Sequence, residues 1–334
     1  PLGLFGTLGS QALVERLRLL APSVKSNGHG STGALAGELL PGAVVQQCSA
    51  EQGSISTPSG DATGGLIGDN GGTVRECCST ATVTALGLAG GLLGRSTGTV
   101  ENCTAASAVT TLKVGTGTAS GGLLGAEVGG TVRLCFANSP SVSGTRVGGL
   151  VGYAAPDGTI VSCVCNQVAP KAVENWAADV AGRAWCEEAD NLADPAFLTG
   201  LGWDLRTVWF MDLRGALRLR WMNGIPQAKA KGPSGTIRTD VKTGYAKITL
   251  DGTQSSDPDR DRLEYHWECR TSNGDPTDVT IASVADPTVQ LRVGTYRISL
   301  TVSDGMEESA PHAITVTILS GNYPPEAVIQ GPSG

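Results

Sequence analysis

One phrase returns through the first half of the chain: a Gly-Gly-Leu-aliphatic-Gly string, a short polar turn, Thr-Val and then a cysteine, as in GGLIGDNGGTVREC at 64–77. Repetition at a period near thirty residues constrains the architecture strongly. Each copy is one small unit that buries its apolar face only by stacking on the next. Aligned on the first leucine of each string, the copies fall at Leu4, Leu35, Leu66, Leu92, Leu123 and Leu150, with spacings of 31, 31, 26, 31 and 27 residues.

Five of these leucines are followed by a cysteine: Cys48, Cys77, Cys103, Cys135 and Cys163. A Val or Ile stands three positions before each, at Val45, Val74, Val100, Val132 and Ile160. Strand side chains alternate faces, so two residues three apart both point inward only if the backbone bends between them. Ala50, Ser79, Ala105, Ala137 and Cys165, two residues after each cysteine, are small enough for a narrow interior row. The pattern predicts a coil of two or three short strands whose corners are supplied by glycine. Segments 51–62 and 111–120, rich in Ser, Thr and Gly, are expected to leave the coil.

Composition agrees with an all-β chain: 47 glycines in 334 residues, 4% aromatics and 16% charged residues. Short Val/Ile/Leu runs between turn residues favour strands. A net charge of −7 gives no footprint for nucleic acid. No run of eighteen or more uninterrupted apolar residues suggests a membrane span. The chain starts at Pro1 and stops at GPSG, a phrase that opens a module elsewhere, so it is read as a fragment.

The strings GGLIGDNGGTVRECC, GGLLGRSTGTVENC, GGLLGAEVGGTVRLC and GGLVGYAAPDGTIVSC, with weaker copies at 3–6 and 33–37, resemble the GLUG repeat of bacterial cell-surface proteins. The resemblance covers about residues 1–170 and implies adhesin-like or surface roles without a defined ligand. Three readings of the cysteines stand: a ladder of small buried residues, disulfides between neighbouring coils, or soft metal ligands from Cys163, Cys165 and Cys186. The absence of nearby histidine or metal-ligand spacing favours the first. The acids Asp61, Asp69, Glu76, Glu101, Glu127 and Asp157 are scattered, and His29 is alone, so no residue is expected to be catalytic. The Asn102-Cys103-Thr104 sequon is discounted because its cysteine is expected to be buried.

Beyond Val168 the period breaks, and Trp176, Trp185, Trp203, Trp209 and Trp221 gather five of the six tryptophans. An open solenoid needs a cap, and residues 171–222 are expected to cover its last coil; a sugar-stacking platform is the competing reading. Residues 187–200 read as a short helical or irregular piece, and 202–221 as two strands turning near Arg214-Gly215. The frame that ends in GPSG at 232–235 returns at 331–334. A module is therefore expected over 223–321, with 322–334 beginning another.

Alternating runs at 246–252, 263–269, 287–293, 296–305 and 313–319 predict an antiparallel sandwich with Trp267 in its core and Cys269 as a buried thiol. LDGTQSSDPDRDRLEYHWE with TYRISLTVSDG resembles a polycystic-kidney-disease-type (PKD-like) immunoglobulin-fold domain, with ECRTSNGD where the family carries Phe-Gly-Asp-Gly. The family implies spacer and binding roles on extracellular proteins, and some members hold calcium. Asp257, Asp259 and Asp261 place three carboxylates in a short turn, and Asn223 and Asp304 complete a candidate Ca²⁺ set of hard oxygen ligands. A solvated Asp-rich turn is the other reading.

The expected architecture is a parallel β-solenoid (β-helix) with a Trp-rich cap, followed by an antiparallel Ig-like β-sandwich. The expected role is non-enzymatic: adhesion or structural presentation at a cell surface, with cell-surface or matrix glycans or proteins as partners. The alternative is an accessory carbohydrate- or substrate-binding region of a larger secreted enzyme.

Overall fold

The computed structural model describes residues 1–28, 30–58, 61–113, 115, 117–166, 184–187 (backbone only), 192, 194–233 and 235–322. His29 and Trp176 lie outside the described residues, as do the side chain of Trp185 and most of the segment from 322 onward. The chain divides into two units, Pro1–Trp209 and Phe210–Gly334.

The first unit is a parallel β-solenoid of six coils. Sheet I stacks Phe5–Leu8, Ala36–Leu39, Ile67–Asn70, Leu93–Ser96, Leu124–Glu127 and Val151–Ala154. Sheet II stacks the six Val-centred strands from Leu13–Glu15 to Thr159–Val161. Sheet III follows the cysteines, from Arg18–Leu20 to Cys163–Asn166, with Ala184–Glu187 added at its end. Sheet IV stacks Ser23–Lys25, Ser54–Thr57, Thr82–Ala85, Val109–Thr111 and Val142–Ser143, and sheet V the strands that enter the Gly-Gly strings. The sheet I register pairs Phe5 with Ala36, Ala36 with Ile67, Ile67 with Leu93, Leu93 with Leu124 and Leu124 with Val151. These are the offsets read from the leucines.

A full coil holds five short strands rather than the expected two or three. The reason lies at the corners. The residue before each ladder cysteine has positive φ: Gln47, Glu76, Asn102, Leu134 and Ser162 all lie at 51–53°. One left-handed residue reverses the inward parity, so Val74 and Cys77 both reach the core. Straight runs are therefore only two to four residues long.

The cysteine finishes this corner. Cys77 Sγ lies 3.2 Å from the carbonyl of Arg75 and 3.6 Å from that of Val45 in the coil before; Cys103 repeats this with Glu101 and Val74, and Cys163 with Val161 and Val132. A small apolar residue with a weak S–H donor suits a site that is buried and lined with carbonyls. Cys48, Cys77, Cys103, Cys135 and Cys163 are free thiols. Burial pushes the thiols of Cys77 and Cys135 up, keeping them protonated. Cys165 alone among the described cysteines is disulfide-bonded, and its backbone pairs in register with Cys186.

The string glycines sit at the corner from sheet V to sheet I, but not in the left-handed conformation. A Cβ on Gly64, Gly90 or Gly121 would lie 2.0, 1.8 or 1.7 Å from the carbonyl oxygen three residues on. The chain folds back so tightly there that only glycine leaves room. Leu66, Leu92, Leu123 and Leu150 fill the interior beside them, fully buried. One interior column turns polar after Leu39: Asn70, Ser96 and Glu127 follow it in register. Asn70 Nδ2 donates to Ser96 Oγ at 3.0 Å, and Glu127 accepts from the backbone N–H of Gly130. Glu127 Oε2 has no partner, and burial, reinforced by Asp157, lifts the carboxyl to about 7 although the Gly130 N–H opposes the shift.

The excursions are shorter than expected. They fall between sheets IV and V, over 58–61 and 112–118, and Ser54–Thr57 within the expected 51–62 excursion is an ordinary coil strand.

Two tryptophans of the closing segment, Trp203 and Trp209, lie against left-handed corners of the solenoid. Trp203 Nε1 donates to the carbonyl of Ser162, and Trp209 Nε1 donates to Asn102 Oδ1, two coils earlier. Their rings meet at 4.8 Å, and both residues are buried. The segment after the helix Pro195–Gly200 is thus a strap along the flank, seated on two left-handed corners.

The second unit is an antiparallel sandwich. Glu264–Thr271, Gly294–Ser303 and His312–Leu319 form one sheet, edged by Ile237–Arg238, which pairs parallel to the last of them; Ala246–Thr249 pairs with Thr288–Leu291 in the other. All five expected strands are present. Trp267 and Cys269 lie in the shared core with Leu250, Leu291, Ile298 and Leu300, and Trp267 Nε1 donates to the carbonyl of Val284. The strand Leu217–Leu219 and the turn at Gly215 also belong to this unit rather than to a solenoid cap.

Candidate functional site

Sheet IV separates its residues cleanly. Ile55, Val83 and Val109 point inward and are fully buried. The residues between them point outward: Ser54 and Ser56, Thr82 and Thr84, Thr110 and Ser143. Register places Ser56, Thr84, Thr110 and Ser143 in one column over four consecutive coils, and Ser23, Ser54 and Thr82 in a second. The column repeats at the strand spacing of about 4.8 Å. Lys25 on the first coil is the one charged residue of these strands.

Charge sits on the other sheets and is mostly paired. Arg95 bonds Asp69 on sheet I, Arg133 meets Glu101 at 2.7 Å on sheet II, and Arg18 meets Glu51 at 3.0 Å on sheet III. Glu76 accepts from Gln47 Nε2 at 2.9 Å. The sheet IV face therefore offers hydroxyl donors and acceptors with little net charge.

The residues chosen as calcium ligands lie together at one pole of the sandwich. Asp257 Oδ1 accepts the backbone N–H groups of Asp259 and Asp261, which makes the DPDRD stretch a capped turn. Asp259 Oδ2 accepts the N–H of Gly224, and Asn223 Nδ2 donates to Asp304 Oδ2 at 2.8 Å. Asp304 Oδ1 caps the turn at Met306 and Glu307. Oxygens of Asn223, Asp257 and Asp261 remain buried without a hydrogen-bond donor, which is the chemistry of a hard-cation site.

Among the described residues no three His, Cys, Asp or Glu side chains are placed to hold a metal ion. Two residues that sequence reasoning missed explain the charge balance. Asp212 and Arg218, on either side of the Gly215 turn, join the pole, with Arg218 Nε 3.1 Å from Asp212 Oδ2 and Nη2 2.9 Å from Asp261 Oδ1. Burial raises the Asp261 carboxyl, with Arg218 opposing and Asp212, Asp257 and Asp259 reinforcing the shift.

Residues 232–332 match the family description of the REJ domain, a domain typically found in extracellular regions. The match takes in the sandwich and excludes Asp212 and Arg218. A nucleoside hydrolase-related hypothetical protein from Saccharophagus degradans, described as associated with carbohydrate metabolism, is similar at 25% identity over 30% of this chain, with a TM-score of 0.22. The chain spans only 26% of that structure. No curated protein matches. No helix among the described residues is long and apolar enough to cross a membrane.

Proposed function

We propose that this chain is a non-enzymatic part of an extracellular surface protein, with the solenoid as its adhesive element and the sandwich as a module of its stalk. The observation that carries the reading is the sheet IV face, a rigid periodic array of hydroxyls on a scaffold whose other faces hold the charge. Such an array suits neutral glycans, which offer hydroxyl donors and acceptors in turn, and suits sulfated or phosphorylated ones poorly. The Cys165 disulfide accords with an oxidising compartment. The Gly-Leu strings keep their resemblance to the GLUG repeat of surface proteins, and the sandwich, beside its REJ match, keeps its resemblance to PKD-like modules.

The rival, an accessory carbohydrate-binding region of a larger enzyme, would be favoured by exposed stacking tryptophans on the solenoid. Trp203 and Trp209 are 2% and 0% exposed, so neither offers a platform. A glycan array probed with the full chain and with a Ser56→Ala/Thr82→Val/Thr84→Val variant tests the proposal. The expected result is binding to neutral glycans that falls at least about tenfold in the variant, with melting unchanged. Binding confined to anionic glycans, or equal binding by the variant, would sink it.

A further inference from the structure

The acidic pole of the sandwich has the donors of a hard-cation site but already contains a cation of its own. Asp212 and Asp261 are 5% and 7% exposed, and two carboxylates buried that deeply need positive charge nearby. Arg218 supplies it to both at once. Neither contact has the alignment of a good hydrogen bond, because Asp212 Oδ2 and Asp261 Oδ1 lack hydrogen-bond partners despite the short separations. Asp261 Oδ2 is likewise buried without a donor, and so are Asp257 Oδ2 and Asn223 Oδ1. The guanidinium thus balances the charge of the pole while leaving acceptor sites unfilled.

We propose that Arg218 is a tethered counter-cation that stabilises the acidic pole without a divalent ion, and that removing it converts the pole into a calcium-responsive site. Calcium takes six to eight oxygens in a flexible shell, and the unfilled oxygens of Asn223, Asp257 and Asp261 are the start of one. While the guanidinium stands against Asp261, that carboxylate is unavailable to join the other two, and a bound ion would face the repulsion of a fixed positive charge. A cation carried on the same chain is present at fixed stoichiometry and high effective concentration, so it competes well against a free ion. The inference is independent of what the solenoid binds.

The test compares the melting of the sandwich in the full chain, in chelator and with calcium chloride, for the wild type, Arg218→Met, Arg218→Lys and Arg218→Met/Asp261→Asn, with magnesium chloride as the control cation. The wild type and Arg218→Lys should melt alike in chelator and in calcium. Arg218→Met should melt lower in chelator and regain stability in calcium but not in magnesium, with an apparent calcium affinity at least about tenfold above the wild type's. The double variant should lose the calcium response, since one ligand is gone. If Arg218→Met fails to fold in chelator, its recovery on refolding in calcium is the readout, and absence of recovery counts against the proposal. A wild type stabilised by calcium as strongly as the variant, or a variant indifferent to both cations, would overturn it.

Discussion

Trp209 donates its indole N–H to Asn102 Oδ1 at 3.2 Å, across 107 residues of sequence. Asn102 is also a left-handed corner, at φ 51°, so one side chain both tolerates the turn and anchors the strap. Asn102→Ala should destabilise the solenoid by about 1–2 kcal/mol through the lost bond and the strained corner. Trp209→Ala should cost about 3–5 kcal/mol. Denaturant melts of the two variants test the order, and hydrogen exchange should show the segment after Gly200 opening first in both.

The thiol ladder should be inert while the solenoid is folded. Cys103 is fully buried and finishes a corner against the carbonyls of Glu101 and Val74. Cys103→Ala should cost about 1–2 kcal/mol, from a small cavity and the lost weak S–H contacts to these carbonyls, and Cys103→Leu should cost more because the row has no room. Alkylation followed by mass spectrometry should find Cys48, Cys77, Cys103, Cys135 and Cys163 unmodified before denaturation and modified after it.

Crowded glycines should separate sharply from open ones. Gly90→Ala sets a Cβ 1.8 Å from the Leu93 carbonyl, a clash that backbone must relieve, and should cost several kcal/mol or abolish soluble expression. Gly9→Ala meets nothing within 4 Å and should be nearly neutral. Soluble yield and melting temperature measure both.

Glu127 gives the solenoid a pH dependence whose sign is fixed. Its carboxyl rises from 4.5 to about 7 on folding, so the folded state holds the proton more tightly than the unfolded chain does. The stabilising effect of the protonated form is complete below 4.5 and is lost as pH rises through about 7. Solenoid stability should therefore improve by up to about 3 kcal/mol between pH 8 and pH 5. Glu127→Gln should flatten that window and melt higher than the wild type at pH 8.

Much of the solenoid was legible because its signal is a register. Leucines at fixed offsets become stacked neighbours in whatever coil the chain adopts, so their spacings survived intact. Strand number per coil did not, because a left-handed Gln47 or Leu134 carries no compositional mark of a corner. Glycine does carry such a mark, and the string glycines do lie at a corner, where close backbone approach rather than a left-handed φ requires them. In the Trp-rich segment the burial of Trp203 and Trp209 follows from their size, whereas the corners they bond carry no mark in the sequence. At the acidic pole the DPDRD turn was visible, but Arg218 was assigned to the preceding segment. An acid and an arginine flanking a Gly turn, in a chain with 16% charged residues, was the signal available.

The corner from sheet II to sheet III never changes length: Val14 leads to Leu19, Val45 to Ala50, Val74 to Ser79, Val100 to Ala105, Val132 to Ala137 and Ile160 to Cys165. The passage from sheet IV to sheet V varies freely, from 86–87 to 112–118. The molecule thus keeps its clock on one side and its slack on the other. Foreign sequence spliced between Thr111 and Ala119 should leave the coils above and below in step, which makes that edge the natural place for such a protein to diversify.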